Sequence, residues 1–398
     1  MSSTTTPVRV FLQPGRDRRV GSGHPWAYSN EINMDAATRA LPAGQVATLH
    51  RVDGKPLGVG TFSPHTLIAF RLLSHNPTTP IDRTFFEARL KAALDLRGRL
   101  YDEPYYRLIH GEADGLGGLV VDRYGKVVVV QAATAGMERL LPELLAALDA
   151  TLDPEVVVLR NDGAFRRLEN LETYVRVAKG AVTEPVELRE RDLRFPADVM
   201  AGQKTGWFFD QRDARGFVAP LARGGTMLDV YSHVGGFAIA AIKAGAERAI
   251  AVDSSAKALE LAELAGRWND VADRLSVVRS EAFGELDRLR SAGEKYRVVA
   301  CDPPAFVRTA KELKSGLKGY RKLVRLAAAV VEPGGFLFIA SCSHNVTVEA
   351  FAAEVAAGLQ RADRDGRILR STGAGPDHPV HPRLPESAYL KGLVIQLD

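Results

Sequence analysis

Tyr296-Arg297-Val298-Val299-Ala300-Cys301-Asp302-Pro303-Pro304-Ala305-Phe306 is an apolar run that stops at an acid and two prolines. A short apolar run bounded by turn chemistry reads as a buried strand, and proline ends it because it brings no backbone donor. Gly335-Phe336-Leu337-Phe338-Ile339-Ala340 is a second such run, closed by Ser341-Cys342-Ser343. Further strand-like runs at 226–231, 247–252, 275–279 and 391–397 alternate with helical spacing at 235–245, 254–268 and 346–360. That alternation predicts an α/β domain over 196–398 with a doubly wound, mostly parallel sheet. Ligands of such sheets bind outside the carboxyl ends of the strands. Neighbouring strands lie about 4.8 Å apart, so Asp302 and Cys342 at adjacent strand ends would reach one planar ring.

The chain has 398 residues, 46% apolar and 25% charged, which is globular and long enough for two or three domains. No apolar stretch approaches the roughly 20 residues that span a bilayer, so no membrane partner is expected. Met1-Ser2-Ser3-Thr4-Thr5-Thr6-Pro7 has neither the basic nor the apolar part of a secretory signal and reads as a disordered tail. The two cysteines, Cys301 and Cys342, give no disulfide framework and no metal spacing, and fit a reducing cytoplasm. Residues 8–75 read as short strands cut by Gly, Pro and Asn, a small all-β module. Residues 81–195 combine a helix from Ile81 to about Gly98, a hairpin at 119–122 and 127–130, a helix around 136–150 and strands near 156–160 and 173–178. That is a small α+β domain.

The net charge is only +4, but residues 1–75 hold eight Lys/Arg against four acids, so the whole excess lies there. A second cluster, Arg308 to Arg325, carries seven Lys/Arg against Glu312 alone and begins just after the Asp-Pro-Pro motif. Basic patches are the electrostatic footprint of a polyanion, and one of these touches the expected site. RNA is therefore the expected partner, with Lys311, Lys314, Lys318 and Arg321 as candidate contacts.

Met227-Leu228-Asp229-Val230-Tyr231-Ser232-His233-Val234-Gly235-Gly236-Phe237 reads as a strand, a tight turn and a helix start, and the next strand ends at Asp253. An acid at that second strand end holds ribose hydroxyls in nucleotide folds. The Gly-x-Gly-x-x-Gly string that admits a pyrophosphate occurs nowhere, which speaks against a dinucleotide. S-adenosyl-L-methionine carries no phosphate and needs fewer glycines, and Asp229 would help hold its ammonium. Tyr231, Ser232, Gly235 and Gly236 of the turn and Ser254 beside Asp253 are expected to line that site.

Here the sequence resembles a known family. Gly202-Gln203-Lys204-Thr205-Gly206-Trp207-Phe208-Phe209-Asp210-Gln211-Arg212 is similar to a motif of the class I methyltransferases that form 5-methylcytosine in large-subunit ribosomal RNA. Asp229 to Phe237, Asp302 to Phe306 and Ser341-Cys342-Ser343 match later motifs of that family. Gly23-His24-Pro25-Trp26-Ala27-Tyr28 and Gly58-Val59-Gly60-Thr61-Phe62 resemble its PUA domain, a small RNA-binding β-barrel, and Glu112 to Gly125 its middle domain. The likeness implies a Rossmann-like class I methyltransferase domain preceded by those two. It implies that Phe209, Asp210, Gln211 and Arg212 help close the cofactor pocket. Two positions depart from the common pattern. The usual loop glycines are Tyr231 and His233 here, and the acid that meets the adenine amino group is Glu281, followed by Ala282 and Phe283, one methylene longer than the usual Asp.

The expected chemistry follows from the substrate. Carbon 5 of cytosine is a weak nucleophile until a thiolate adds at carbon 6, which makes Cys342 the candidate nucleophile. Cys301, inside its apolar run, reads as a buried structural thiol. Asp302 is the candidate acid at cytosine N3. Pro303 and Pro304 stiffen the loop, and Phe306 stacks on the base or packs in the core. Position 305 is Ala where another 5-methylcytosine subgroup has a second Cys, so a single-thiol route is implied. Three alternatives stand beside this reading. One is nitrogen methylation of a purine without a thiol; another is an RNA-binding assembly factor without catalysis; the third is a nicotinamide-dependent oxidoreductase. The sequence is silent on oligomeric state, a homodimer included.

Overall fold

The computed structural model describes residues 8–183 and 185–398. The expected tail, residues 1–7, lies outside them. Three domains are expected from the sequence, whereas the chain gathers into two compact units. One runs to Val186 and takes in 198–207 and 376–385; the other holds 187–197, 208–375 and 386–398.

The first unit carries two five-stranded sheets. In one, Val8–Phe11 pairs in parallel with Gln45–His50, followed in antiparallel order by Pro56–Phe62, Ile68–Ser74 and Trp26–Tyr28. It closes over Val10, Leu12, Ile32, Leu49, Phe62 and Phe70. The expected all-β module also holds two short helices, Arg18–Gly21 and Ala36–Arg39, the second capped by Asp35 on the Thr38 amide. In the other sheet the order is Tyr174–Lys179, Val156–Asn161, Val127–Ala132, Leu119–Tyr124 and Tyr105–His110. Helices Arg83–Leu100 and Leu141–Leu152 contribute Phe86, Leu90, Leu144 and Leu148 to its core. The two sheets share one unit because they touch directly. Trp26 Nε1 donates to Glu112 at 2.8 Å, and Arg71 pairs with buried Glu169 at 2.9 Å. A Cβ on Gly136 would lie 2.4 Å from the Thr61 hydroxyl oxygen, so glycine is required at that contact.

Around the expected boundary between 195 and 196 short segments divide between the two units, each held by buried polar groups. The hairpin of Val186–Glu190 and Leu193–Ala197 joins the second unit through Asn269, which donates to and accepts from the Arg194 backbone at 2.6 and 3.0 Å. Residues 198–207 join the first unit through Arg160, which donates to Val199 O and Gly202 O, and through Thr205 on Asp122. Residues 376–385 join it through Asp377, whose carbonyl and carboxylate accept from Arg97 and the Arg107 amide.

The second unit is a seven-stranded sheet. Its strands are β1 Thr226–Val230, β2 Arg248–Asp253, β3 Leu275–Arg279, β4 Tyr296–Cys301, β5 Val331–Ser341, β6 Gly366–Thr372 and β7 Lys391–Leu397. The order is β3-β2-β1-β4-β5-β7-β6, with β7 antiparallel to both its neighbours and the remaining pairs parallel. Helices α1 Gly236–Lys243, α2 Ala256–Trp268, α3 Ala282–Ser291, α4 Leu313–Ala329 and α5 Val348–Arg361 make the crossovers. The winding reverses at β1 and β4, which opens a crevice at their carboxyl ends. Strand β6 escapes the sequence reading because it is an exposed edge with charged residues and no alternation. Among the described residues no helix is long and apolar enough to cross a membrane.

A buried pair ties the hairpin to the helix Arg212–Val218 that precedes this sheet. Arg215 donates twice to Glu190, both at 2.7 Å, and once to the Phe208 carbonyl at 2.9 Å. Glu190→Ala removes the carboxylate from a buried guanidinium, so urea denaturation is expected to show a loss of about 3–5 kcal/mol. Asp287→Ala, which breaks the exposed pair with Arg290, is expected to cost less than about 1 kcal/mol.

Candidate active site

The loop after β1 is built on alternating left-handed residues. Tyr231, His233 and Gly235 have φ of 63, 51 and 75°. Two of these are the positions where the common loop has glycine, and a side chain there costs about 1–2 kcal/mol. Backbone hydrogen bonds hold the shape against that cost. Ser232 N donates to Val252 O at 3.0 Å and Gly235 N to Ser232 O at 2.8 Å. His233 N donates to the Asp253 carboxylate at 3.0 Å, and the other oxygen of Asp253 accepts from Ser255 N at 2.9 Å. Asp253 is expected at the ribose. In the structure it also clamps the β1 loop to the start of α2.

Asp229 is buried, with one carboxylate oxygen accepting from the Ala238 amide of α1 at 3.0 Å. Burial raises its carboxyl to about 7; the charges of Asp302 and Asp253 add to the shift and the Ala238 bond opposes it. Phe209, Asp210, Gln211 and Arg212 are all buried, the first three in a single 3-10 turn. Tyr389 donates to Asp210, and Arg212 lies 3.6 Å from Glu190. Both ends of the Gln211 amide and the Ser232 hydroxyl are buried with no hydrogen-bond partner among the described residues. Orphaned buried polar groups cost about 1–3 kcal/mol each unless a ligand meets them. A donor–acceptor amide, a hydroxyl and a buried carboxylate fit a zwitterionic amino acid such as the methionine part of S-adenosylmethionine. Gly236 is the buried first residue of α1, Ser254 is exposed beside Asp253, and Glu281 is an exposed cap of α3 followed by buried Ala282. No group of three or more His, Cys, Asp and Glu among the described residues could hold a metal ion.

Strands β4 and β5 are parallel neighbours, with Cys301 opposite Ile339. Their ends carry Asp302 and Cys342. The half-buried Cys342 thiol lies 3.9 Å from the Pro303 carbonyl oxygen. On either side of it, Ser341 and Ser343 are buried and reach the same group, the Tyr320 hydroxyl of α4, at 2.8 and 2.9 Å. Ser343 Oγ also accepts from the Val307 amide at 3.2 Å, which fastens the Asp302–Val307 loop to the Cys342 turn. Cys301 is fully buried, and burial, then the carboxylates of Asp229 and Asp302, push its thiol far up.

Lys391, the first residue of β7, was missed from the sequence. It is buried and donates to Ser343 O at 2.7 Å. Burial lowers its pKa, and the charge of a Cys342 thiolate works the other way. A strand-leading lysine looks solvent-facing in sequence; only the pairing of Lys391 with Ser341 across β5 and β7 reveals it.

Phe306 sits half-buried with its ring 4.7 Å from Tyr320 and 6.1 Å from Phe283. A Cβ on Gly316 would stand 2.6 Å from Phe306 O, so α4 needs glycine where the loop crosses it. Pro303 is buried and Pro304 exposed. Lys311, Lys314 and Lys318 are exposed, whereas Arg321 is engaged by Glu354 through two bonds of 2.6 and 2.9 Å. His344 is an exposed loop residue against Tyr389.

Asp229 gives a signed pH dependence. Its folded pKa lies above the unfolded value, so the unfolded chain releases its proton first and stability falls as pH rises from about 4 to 7. Asp229→Asn is therefore expected to be more stable than the native protein at pH 8, by up to roughly 4 kcal/mol. Thermal unfolding should show that gain gone at pH 4; a gap of equal size at both pH values would contradict the assignment.

The chain as a whole is similar to known proteins. Residues 165–369 match the family described as S-adenosylmethionine-dependent methyltransferase, and residues 10–75 match the PUA-like domain. Ribosomal RNA large subunit methyltransferase I of Pseudoalteromonas translucida is 32% identical over 397 residues, covering 98% of this chain and 99% of that one. The protein of the same name from Cronobacter sakazakii is 34% identical over 392 residues, covering 97% and 98%. A solved structure from Streptococcus mutans shares the fold, with a TM-score of 0.81, 21% identity and coverage of 98% and 100%. The cofactor is S-adenosyl-L-methionine, and the chain belongs to the family of PUA-containing S-adenosylmethionine-dependent methyltransferases that includes the proteins named ribosomal RNA large subunit methyltransferase I.

Proposed function

We propose that this chain methylates carbon 5 of a cytosine in large-subunit ribosomal RNA in the cytoplasm, with Cys342 as nucleophile. The observation that carries the reading is the pairing of two thiols with opposite surroundings at one end of the sheet. Cys301 is sealed in the core, while Cys342 is half-buried in a turn shared with the Asp302 loop. A nitrogen methyltransferase has no use for that second arrangement. The relatives that match nearly the whole chain, named for ribosomal RNA, support the choice of RNA.

The Cys342 thiolate adds to carbon 6 of cytosine, which moves electron density onto carbon 5. Asp302 holds a proton at N3 and so favours that addition. The Lys391 ammonium stabilises the thiolate, and its bond to Ser343 O keeps it on that turn. Ser341 and Ser343, fixed by Tyr320, orient the thiol between them. Asp229, Ser232 and Gln211 are the groups that would hold the cofactor, with Asp253 at its ribose and Glu281 at its adenine. S-adenosylmethionine supplies a sulfonium methyl group as the electrophile. Transfer of the carbon 5 proton to a base then breaks the carbon 6–sulfur bond and releases Cys342 as the thiolate.

The test uses undermethylated large-subunit ribosomal RNA, labelled cofactor and mass spectrometry of the digested nucleosides. The native chain and Cys301→Ala are expected to yield labelled 5-methylcytosine, Cys342→Ala none, and Asp302→Asn roughly 10²–10⁴-fold less. Label on a purine would overturn the reading. Lys391→Met is expected to move the acid limb of the pH–rate profile up by about one unit, since the thiolate loses its neighbouring cation; an unmoved limb would remove Lys391 from the mechanism.

A further inference from the structure

Helix α4 carries Lys318, Arg321, Lys322 and Arg325 at spacings of three and four residues, which places all four on one face. Its other face buries Tyr320, Leu323, Val324 and Ala327, so this side points outward. Helix α5 packs close beside it. A Cβ on Gly358 would stand 2.6 Å from Val324 Cβ and 2.9 Å from the Arg321 carbonyl oxygen, so glycine sets the approach. One turn further along α5, Arg361 joins the four side chains of α4. Together these five cations line a cleft of about 540 Å3.

The acids nearby are committed. Glu354 is held by both hydrogen bonds from Arg321, and Glu312 caps the segment before α4 by accepting from the Arg308 and Thr309 amides. Among the described residues no carboxylate pairs with Lys318, Lys322, Arg325 or Arg361. Like charges three and four apart on a helix repel, and a concave site concentrates their field. The ammonium of Lys322 lies 4.9 Å from the centre of the Phe283 ring, and Phe283 stacks on Phe306 of the catalytic loop. The cationic cleft is thus continuous, through two aromatic rings, with the loop that carries Asp302. From Lys318 to Arg325 the helix rises about 10 Å, enough for more than one phosphate.

We infer that this cleft binds the sugar–phosphate backbone of the substrate RNA beside the target nucleotide, so that Lys322, Arg325 and Arg361 extend the contact made by the loop. The inference rests on the proposal that RNA is the substrate. Phosphate contacts fix register without reading sequence, which gives the cleft a positioning function separate from the chemistry at Cys342.

The experiment measures binding of large-subunit ribosomal RNA fragments by the full-length protein across a range of KCl concentrations. For the triple variant Lys322→Gln/Arg325→Gln/Arg361→Gln, the slope of log Kd against log salt is expected to fall by about 2–3, near one per cation removed. The KM for RNA should rise, while binding of S-adenosylmethionine and the Tm stay at native values. The charge-keeping variant Arg325→Lys/Arg361→Lys should keep the native slope and guards against a folding defect. An unchanged slope in a triple variant of native Tm overturns the inference and leaves the methyltransferase reading intact. Failure of the native protein to bind or methylate RNA would overturn that reading and this inference with it.

Discussion

The hydroxyl of Tyr320 sits between Ser341 and Ser343 and so decides where Cys342 stands. The same Ser343 hydroxyl takes the Val307 amide, and the Ser343 carbonyl takes Lys391. One buried phenol on α4 therefore joins the ends of β4 and β5 and the start of β7. Its burial makes the arrangement stiff: each of these polar groups has few other partners, and losing one would leave the rest unsatisfied at about 1–3 kcal/mol each. Phe306 packs on that ring and Gly316 lets the loop pass over it, so aromatic packing and hydrogen bonding fix one geometry.

The proposed cofactor side of the crevice works on a different principle. It stores unfavourable energy. Asp229 is buried against Asp302 and Asp253, its proton held to about 7. Tyr231 and His233 occupy left-handed backbone. The Gln211 amide and the Ser232 hydroxyl have no protein partner among the described residues. Such costs persist where the surrounding structure over-determines them, and they cluster at binding sites. Asp253, with amides from His233 and Ser255 on its two oxygens, supplies much of that restraint. The field of a bound ammonium would lower the Asp229 pKa, so binding and ionisation are coupled at this residue.

The strands of the large sheet were legible because buried parallel strands are nearly continuous apolar runs. The strand-end acids and Cys342 were legible because they interrupt those runs. β5 begins at Val331, four residues before the expected start, because Pro333-Gly334 looks like a break and the strand absorbs it as an irregularity against β4. The division of segments between the units was invisible, since Glu190 and Arg215, or Arg97 and Asp377, meet only after folding. The cationic stripe on α4 could be read from spacing. That Arg361 joins it, and that Glu354 answers Arg321, depends on the close approach permitted at Gly358.

The proposed route requires a covalent bond between Cys342 and the base to be methylated. The most direct measurement incubates the native protein and S-adenosylmethionine with RNA carrying 5-fluorocytidine at the target, then sequences the cross-linked peptide by mass spectrometry. Fluorine at carbon 5 cannot leave as a proton, so the adduct should accumulate on the peptide containing Cys342. A cross-link at Cys301, or none at all with a protein that still methylates the unsubstituted RNA, would contradict that route.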